Sequence, residues 1–145
     1  MLIEERIVAL NDVVANAQRL VTVYRGEDER VPEQQHAVFA RCAQDHESLI
    51  AQVEGCVREL GALPREEDPE RLGLDKLFVD LRSLLAEDPM AAIVEALLTG
   101  EQELHTALQE ALQHELPQAA AATLQAHQDT VAEHRQTLEA LKAGA

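Results

Sequence analysis

The chain has 145 residues, with 12 Lys and Arg against 27 Asp and Glu, so its formal net charge is −15. This acidity argues against nucleic acid or an anionic membrane as a partner, because both attract basic surfaces. The chain has one Tyr, two Phe and no Trp. This scarcity of aromatic side chains favours helices over sheets.

Neither a secretory signal nor a membrane-spanning segment is predicted. Glu4 and Glu5 stand where a signal peptide would carry positive charge, and the sequence has no apolar run of about 18 residues. We therefore expect a cytoplasmic protein. The two cysteines, Cys42 and Cys56, are expected to be buried as small apolar residues.

Glycines and prolines divide the chain into four long helices and one short helix within a single domain, residues 1–145. Gly26 and Gly61 each end a helical pattern, a common place for glycine. Asp88-Pro89 combines a capping side chain with a proline suited to the first helical turn, and Pro117 opens the last helix. The long helices are predicted at residues 2–25, 32–60, 89–115 and 117–142, and the short one at 75–86.

The lengths of the connections predict the topology. Short loops after the first and third long helices place the helices they join antiparallel. The crossover at about residues 61–88 is long enough to return along the bundle, so the second and third long helices can run parallel. We therefore predict an all-α, ferritin-like four-helix bundle whose long crossover contains the short helix.

Four ionisable residues lie on the apolar stripes of the predicted helices, where spacings of three and four residues share one face. They are His46 on the second long helix, Glu101 on the third, and His127 and His134 on the fourth. His105, four residues after Glu101, lies at the edge of its stripe and is a weaker candidate. The four residues on the stripes lie toward the middles of their helices, so we expect them at one level of the bundle.

Imidazoles and a carboxylate on facing helices could bind a divalent transition metal such as iron, zinc or manganese. The alternative is a metal-free polar network, in which a Glu–His hydrogen bond satisfies a carboxylate that is otherwise costly to bury. In that case the protein is a structural or protein-interaction module, expected to be dimeric.

Short motifs along the chain carry a family resemblance. They are Leu10-Asn11-Asp12, Leu60-Gly61, Gly100-Glu101, and His134 followed by Leu138 and Leu141. Together they resemble a bacterial family of ferritin-like four-helix-bundle proteins of unknown function, over nearly the whole chain. The resemblance implies a ferritin-like fold and a stress-linked role, with no established activity.

The chain departs from the di-iron pattern of ferritin-like proteins, which takes a Glu from each of two helices and a Glu-x-x-His from each of the others. Ala43 stands three residues before His46, and Val131 stands three residues before His134. Asp12, on the first helix, points away from the apolar stripe. A normal ferroxidase centre is therefore not expected, which leaves a single-metal or a vestigial site.

Residues 83–134 contain no Lys or Arg but nine acidic residues, one of which is Glu101. We expect the other eight to face solvent and to keep the protein soluble. The same surface would attract cations or a basic protein partner. A homo-oligomer is also expected.

Overall fold

The computed structural model describes residues 4–26, 31–65, 68–72, 79 and 87–144. Over these residues the protein is all-helical and contains no strand, which confirms the all-α part of the predicted fold. The long helices are α1 (Glu5–Tyr24), α2 (Glu33–Glu59), α3 (Pro89–Leu112) and α4 (Gln118–Ala143).

The crossover is described only in part. A helical turn covers residues 69–72, which the sequence assigned to a connection without a helix. Asp68 Oδ1 explains this turn, because it accepts hydrogen bonds from the first free backbone N–H groups at Glu70 and Arg71. Of the predicted short helix at 75–86, residue 79 is helical and the others lie outside the described residues.

The start of α1 and the end of α3 each differ from the prediction by three residues. The prediction extends α3 to residue 115, but it ends at Leu112. The N–H groups of Gln113 and His114 donate to carbonyls three residues back, at 3.2 and 3.1 Å, so the last turn tightens and closes the helix. Pro117 then keeps the residue before it out of helical geometry.

Two predicted helix boundaries have clear local causes. Gly61 follows α2 with a φ of +84°, and Ala62 N donates to Val57 O over 3.1 Å, the pairing that ends many helices at a glycine. At the start of α3, the side chain of Asp88 accepts from Ala91 N over 3.1 Å. Pro89 occupies the first helical position, where no N–H is needed.

Each long helix packs against two others, in the order α1, α2, α4, α3 around one core. α1 and α3 are antiparallel, because Arg6 donates to Glu115 O at one end and Leu20 lies against Gly100 further along. The contacts of the other three neighbouring pairs also run in opposite directions. Consequently α2 and α3 run in the same direction on opposite sides of the core.

Burial follows the sequence pattern. Among the nine acidic residues between positions 83 and 134, Glu101 is buried and the other eight are exposed, as predicted. Cys42 and Cys56 are buried and unpaired with each other, also as predicted. None of the described helices is long and apolar enough to cross a membrane.

A substitution pair tests the close approach of α1 and α3. A Cβ at Gly100 would lie 2.6 Å from Leu20 Cδ2, whereas one at Gly55 on α2 would meet no atom within 4 Å. Alanine is favoured over glycine by about 1 kcal/mol inside a helix, so Gly55→Ala should raise the free energy of unfolding. Gly100→Ala should lower it by about 1 kcal/mol, because overpacking costs about 1–3 kcal/mol. Urea unfolding measures both, and equal stabilisation of the two variants would contradict the close approach.

Candidate metal centre

All four long helices contribute to one polar cluster in the core. Glu101 on α3 and His46 on α2 are 0% exposed, while His134 and His127 on α4 are 5% and 7% exposed. Tyr24, the last residue of α1, donates its hydroxyl to Glu101 Oε2 over 2.7 Å. The predicted residues therefore do meet at one level, and Tyr24 joins them.

Three potential ligand atoms converge at the centre of this cluster. Glu101 Oε2 lies 2.8 Å from His46 Nε2 and 3.1 Å from His134 Nδ1. The two ring nitrogens lie 3.2 Å apart. A tetrahedral ion with bonds of about 2.0–2.1 Å separates its ligand atoms by about 3.3 Å. The side chains could thus hold an ion after small movements.

The far nitrogen of each central imidazole is also held. His46 Nδ1 lies 2.9 Å from His127 Nε2, and His134 Nε2 lies 2.9 Å from Asp45 Oδ2. Metal-binding histidines usually have such a partner on the nitrogen that does not bind the ion, which fixes the ring orientation. His127 and Asp45 therefore orient the nitrogens of His46 and His134 that face Glu101.

The metal-free cluster contains an ion pair between Glu101 and His134. Burial raises the pKa of the Glu101 carboxyl, but hydrogen bonds with His134 and His46 outweigh burial, and the pKa falls to about 2. Burial lowers the pKa of His134, but hydrogen bonds with Cys42 and Glu101 outweigh it, and the pKa rises to about 10. At neutral pH, Glu101 is therefore a carboxylate and His134 an imidazolium.

His127 and Tyr24 are neutral at the same pH. Burial, followed by the proximity of His46 and His134, lowers the pKa of His127 to about 4. Burial and the charge of Glu101 raise the pKa of Tyr24 above its ordinary value. The Tyr24 hydroxyl thus keeps its proton and remains a hydrogen-bond donor to Glu101.

Proton positions in the metal-free cluster follow from the carboxylate. Glu101 can only accept hydrogen bonds, so His46 Nε2 and His134 Nδ1 both carry protons where they face it. A metal ion would replace these two protons, because a ring nitrogen must offer its lone pair to bind. The same side chains can therefore be joined in two ways, by protons in the metal-free protein or by a metal ion.

The structure sorts the sequence-predicted residues into three positions. His46, Glu101 and His134 supply the converging atoms. His127 lies next to them but contacts His46 rather than the carboxylate. His105 is half-buried one turn after Glu101, and it is outside the group of converging ligand atoms among the described residues.

Two further residues of the cluster were missed at the level of sequence. Tyr24 is buried at the end of α1, and a buried tyrosine hydroxyl usually needs a hydrogen-bond partner. Asp45 precedes His46 in the chain, and its exposed position on α2 brings its carboxylate to α4 rather than into the core. The need of His134 for a partner on its second nitrogen was the available signal.

Comparisons of the chain with protein-family models, with curated proteins and with solved structures found no match. The family resemblance therefore stays a prediction.

Proposed function

We propose that this protein is a ferritin-like four-helix bundle that binds one divalent transition-metal ion through His46, Glu101 and His134. The observation that carries the proposal is the convergence of three potential ligand atoms, one from a carboxylate and two from imidazoles. The far nitrogen of each imidazole also has a hydrogen-bond partner. Two imidazoles and one carboxylate suit iron, zinc or manganese, and they leave a coordination position open for water or another ligand.

The helix arrangement supports the ferritin-like part of the proposal. α2 and α3 run in the same direction, which a bundle with one long crossover requires. Metal sites in such bundles lie in the core between facing helices. Glu101 is the one buried carboxylate among the described residues, so the proposed site holds a single ion and is not a di-iron ferroxidase centre.

Charge balance also supports a divalent ion. With both ligand imidazoles neutral, the charges of Glu101 and Asp45 together offset the two positive charges of the ion. Asp45 reaches the site through His134, with its own side chain 46% exposed. A buried charge is tolerated when it is neutralised and coordinated in this way.

A metal-free structural or interaction module is the second candidate, and one observation favours it. Each of the four buried polar residues of the core has a hydrogen-bond partner without an ion. Gln35, outside the cluster, supplies the one buried side-chain oxygen without a partner in the described part of the chain. The cluster could therefore act as a polar network that fixes the packing of the helices.

Metal content separates the two candidates. We expect one ion per chain in protein purified without added metal, or after chelation and titration with Zn²⁺. His46→Gln should lose this ion, whereas His105→Gln, which alters a histidine outside the cluster, should keep it. Binding should stabilise the fold by about 3 kcal/mol at a hundredfold excess over Kd. Substoichiometric metal without a thermal shift would favour the network.

Asp45 should contribute to metal affinity without contacting the ion. Asp45→Asn replaces the carboxylate that holds His134 Nε2, and loss of such a partner typically weakens metal binding by about 10–100-fold. Isothermal titration with Zn²⁺ measures the change. Asp129→Asn, at an exposed position of α4, is the matched control, and an equal loss in both variants would point to surface charge instead.

Several wider expectations belong to the same proposal. They are a cytoplasmic location, a stress-linked role, a homo-oligomeric state and a basic protein partner. Light scattering in solution tests the expected dimer directly. None of these properties is needed for the metal site, because all of its residues belong to one chain.

A further inference from the structure

We infer that the cleft between α2 and α4 is the access route by which a hydrated divalent cation reaches the buried cluster, with Asp45 as the receiving carboxylate. This inference rests on the proposed metal site and adds to it a direction of approach. The three proposed ligands by themselves give the cleft no role.

The cleft exists because α2 and α4 pack less closely than the other three neighbouring pairs of helices. It has a volume of about 450 Å³. Its walls carry mostly small or hydroxyl side chains, including Ser48, Thr123, Ala126 and Thr130. These side chains leave room for water and can exchange hydrogen bonds with the hydration shell of a passing ion.

The floor of the cleft reaches the cluster. His127 lines the cleft, and its Nε2 contacts His46 Nδ1. Asp45 also lines the cleft, and its Oδ2 contacts His134 Nε2. A cation in the cleft is therefore one side chain away from each of the two proposed histidine ligands.

On the side of α1, aromatic rings cover the cluster. Tyr24 and Phe39 are each 3% exposed, and their rings pack edge to face with centroids 5.5 Å apart. The groove between α1 and α3 is lined by Leu20 and Gly100 but by no residue of the cluster. Among the four buried polar residues, the two that retain some exposure, His127 and His134, both lie on α4.

Charge selects a cation for this route. Asp45 is the one carboxylate among the residues that line the cleft, and its side chain is 46% exposed. The net charge of −15 attracts cations and repels anions over a longer range. A hydrated divalent ion is thus favoured over an organic anion, which the Asp45 carboxylate would repel.

The test compares rates with affinity, using Co²⁺ as the probe and its visible absorption in stopped flow. Ala126→Leu and Ser48→Leu narrow the cleft from α4 and from α2. Each is expected to slow both Co²⁺ uptake and release by about tenfold while leaving Kd within about twofold. Ala132→Leu makes the same change at an exposed position of α4 outside the cleft, and it should leave both rates unchanged.

The outcomes distinguish the route from the site. If Co²⁺ binds with one site per chain and the cleft variants take it up as fast as Ala132→Leu, the ion uses another route and this inference is wrong. If the unaltered protein takes up no Co²⁺, the proposed metal site fails and the route fails with it. Circular dichroism of each variant confirms that the helices are intact.

Discussion

Glu101→Gln is expected to abolish stoichiometric metal binding and to destabilise the metal-free protein. Glu101 accepts hydrogen bonds from Tyr24, His46 and His134, and the charge of His134 depends on it for neutralisation. Removing one partner of a buried pair costs about 3–5 kcal/mol. A glutamine retains the shape but turns one acceptor into a donor that faces other donors.

Two measurements check this prediction. Titration with Co²⁺ should show no saturable site in Glu101→Gln, and urea unfolding in the presence of a chelator should show the loss of stability. Glu103→Gln is the matched control, because Glu103 is exposed two residues further along α3. A surface change of this kind usually shifts stability by less than about 0.5 kcal/mol. If Glu101→Gln bound the metal fully, the carboxylate of Glu101 would not be a metal ligand.

Glu101→Leu separates the metal site from a purely structural network. It should also abolish metal binding while leaving the helix content intact. Like glutamine, leucine leaves the charge of His134 without its buried partner, so the metal-free variant should lose stability. A variant that is more stable than the unaltered protein, with unchanged bound metal, would instead show that Glu101 belongs to a network and not to a metal site.

The helices and the level of the cluster could be predicted because they depend on local pattern. Apolar spacing identifies the inward face of each helix, and Asp88-Pro89 and Gly61 mark the ends of helices through capping that needs no tertiary partner. His46 and Glu101 lie at the centres of their inward faces, so their burial follows from the same pattern.

The pairing of residues within the cluster could not be predicted in the same way. Spacing places His127 and His134 on one face of α4, but it does not show that only His134 faces Glu101. That difference depends on the relative height and rotation of α2 and α4, which many weak side-chain contacts set together. The link from Asp45 to His134 also joins residues far apart in sequence, and it depends on side-chain rotamers.

Metal affinity is expected to rise by about tenfold per pH unit between about pH 6.5 and 8.5, because about one proton leaves for each ion bound. The proton comes from His134, whose pKa is raised to about 10 in the metal-free protein. The proton on His46 Nε2 can move to its Nδ1, which faces His127, so it need not be released. Calorimetric titration with Zn²⁺ in two buffers of different ionisation enthalpy measures the number of protons released.

The stability of the metal-free protein should pass through a maximum as the pH changes and fall on both sides of it. The raised pKa of His134 contributes stability below about pH 6.5 that is lost as the pH rises toward 10. The lowered pKa of His127 removes stability as the pH falls from about 6.5 toward 4. The lowered pKa of Glu101 removes further stability as the pH falls from about 4.5 toward 2. These three groups together place the maximum near pH 6.5.

Excess metal should therefore remove the dependence of stability on pH on the alkaline side. Above about pH 6.5 the metal-free protein loses the stability of the Glu101–His134 ion pair, while in the loaded protein the tightening of metal binding with pH offsets this loss. Urea unfolding at several pH values, with excess Zn²⁺ and with a chelator, measures both slopes. His105→Gln should leave both slopes unchanged, since His105 lies outside the cluster. Parallel slopes in the two conditions would show that the ion does not displace the His134 proton, and that it binds elsewhere on the chain.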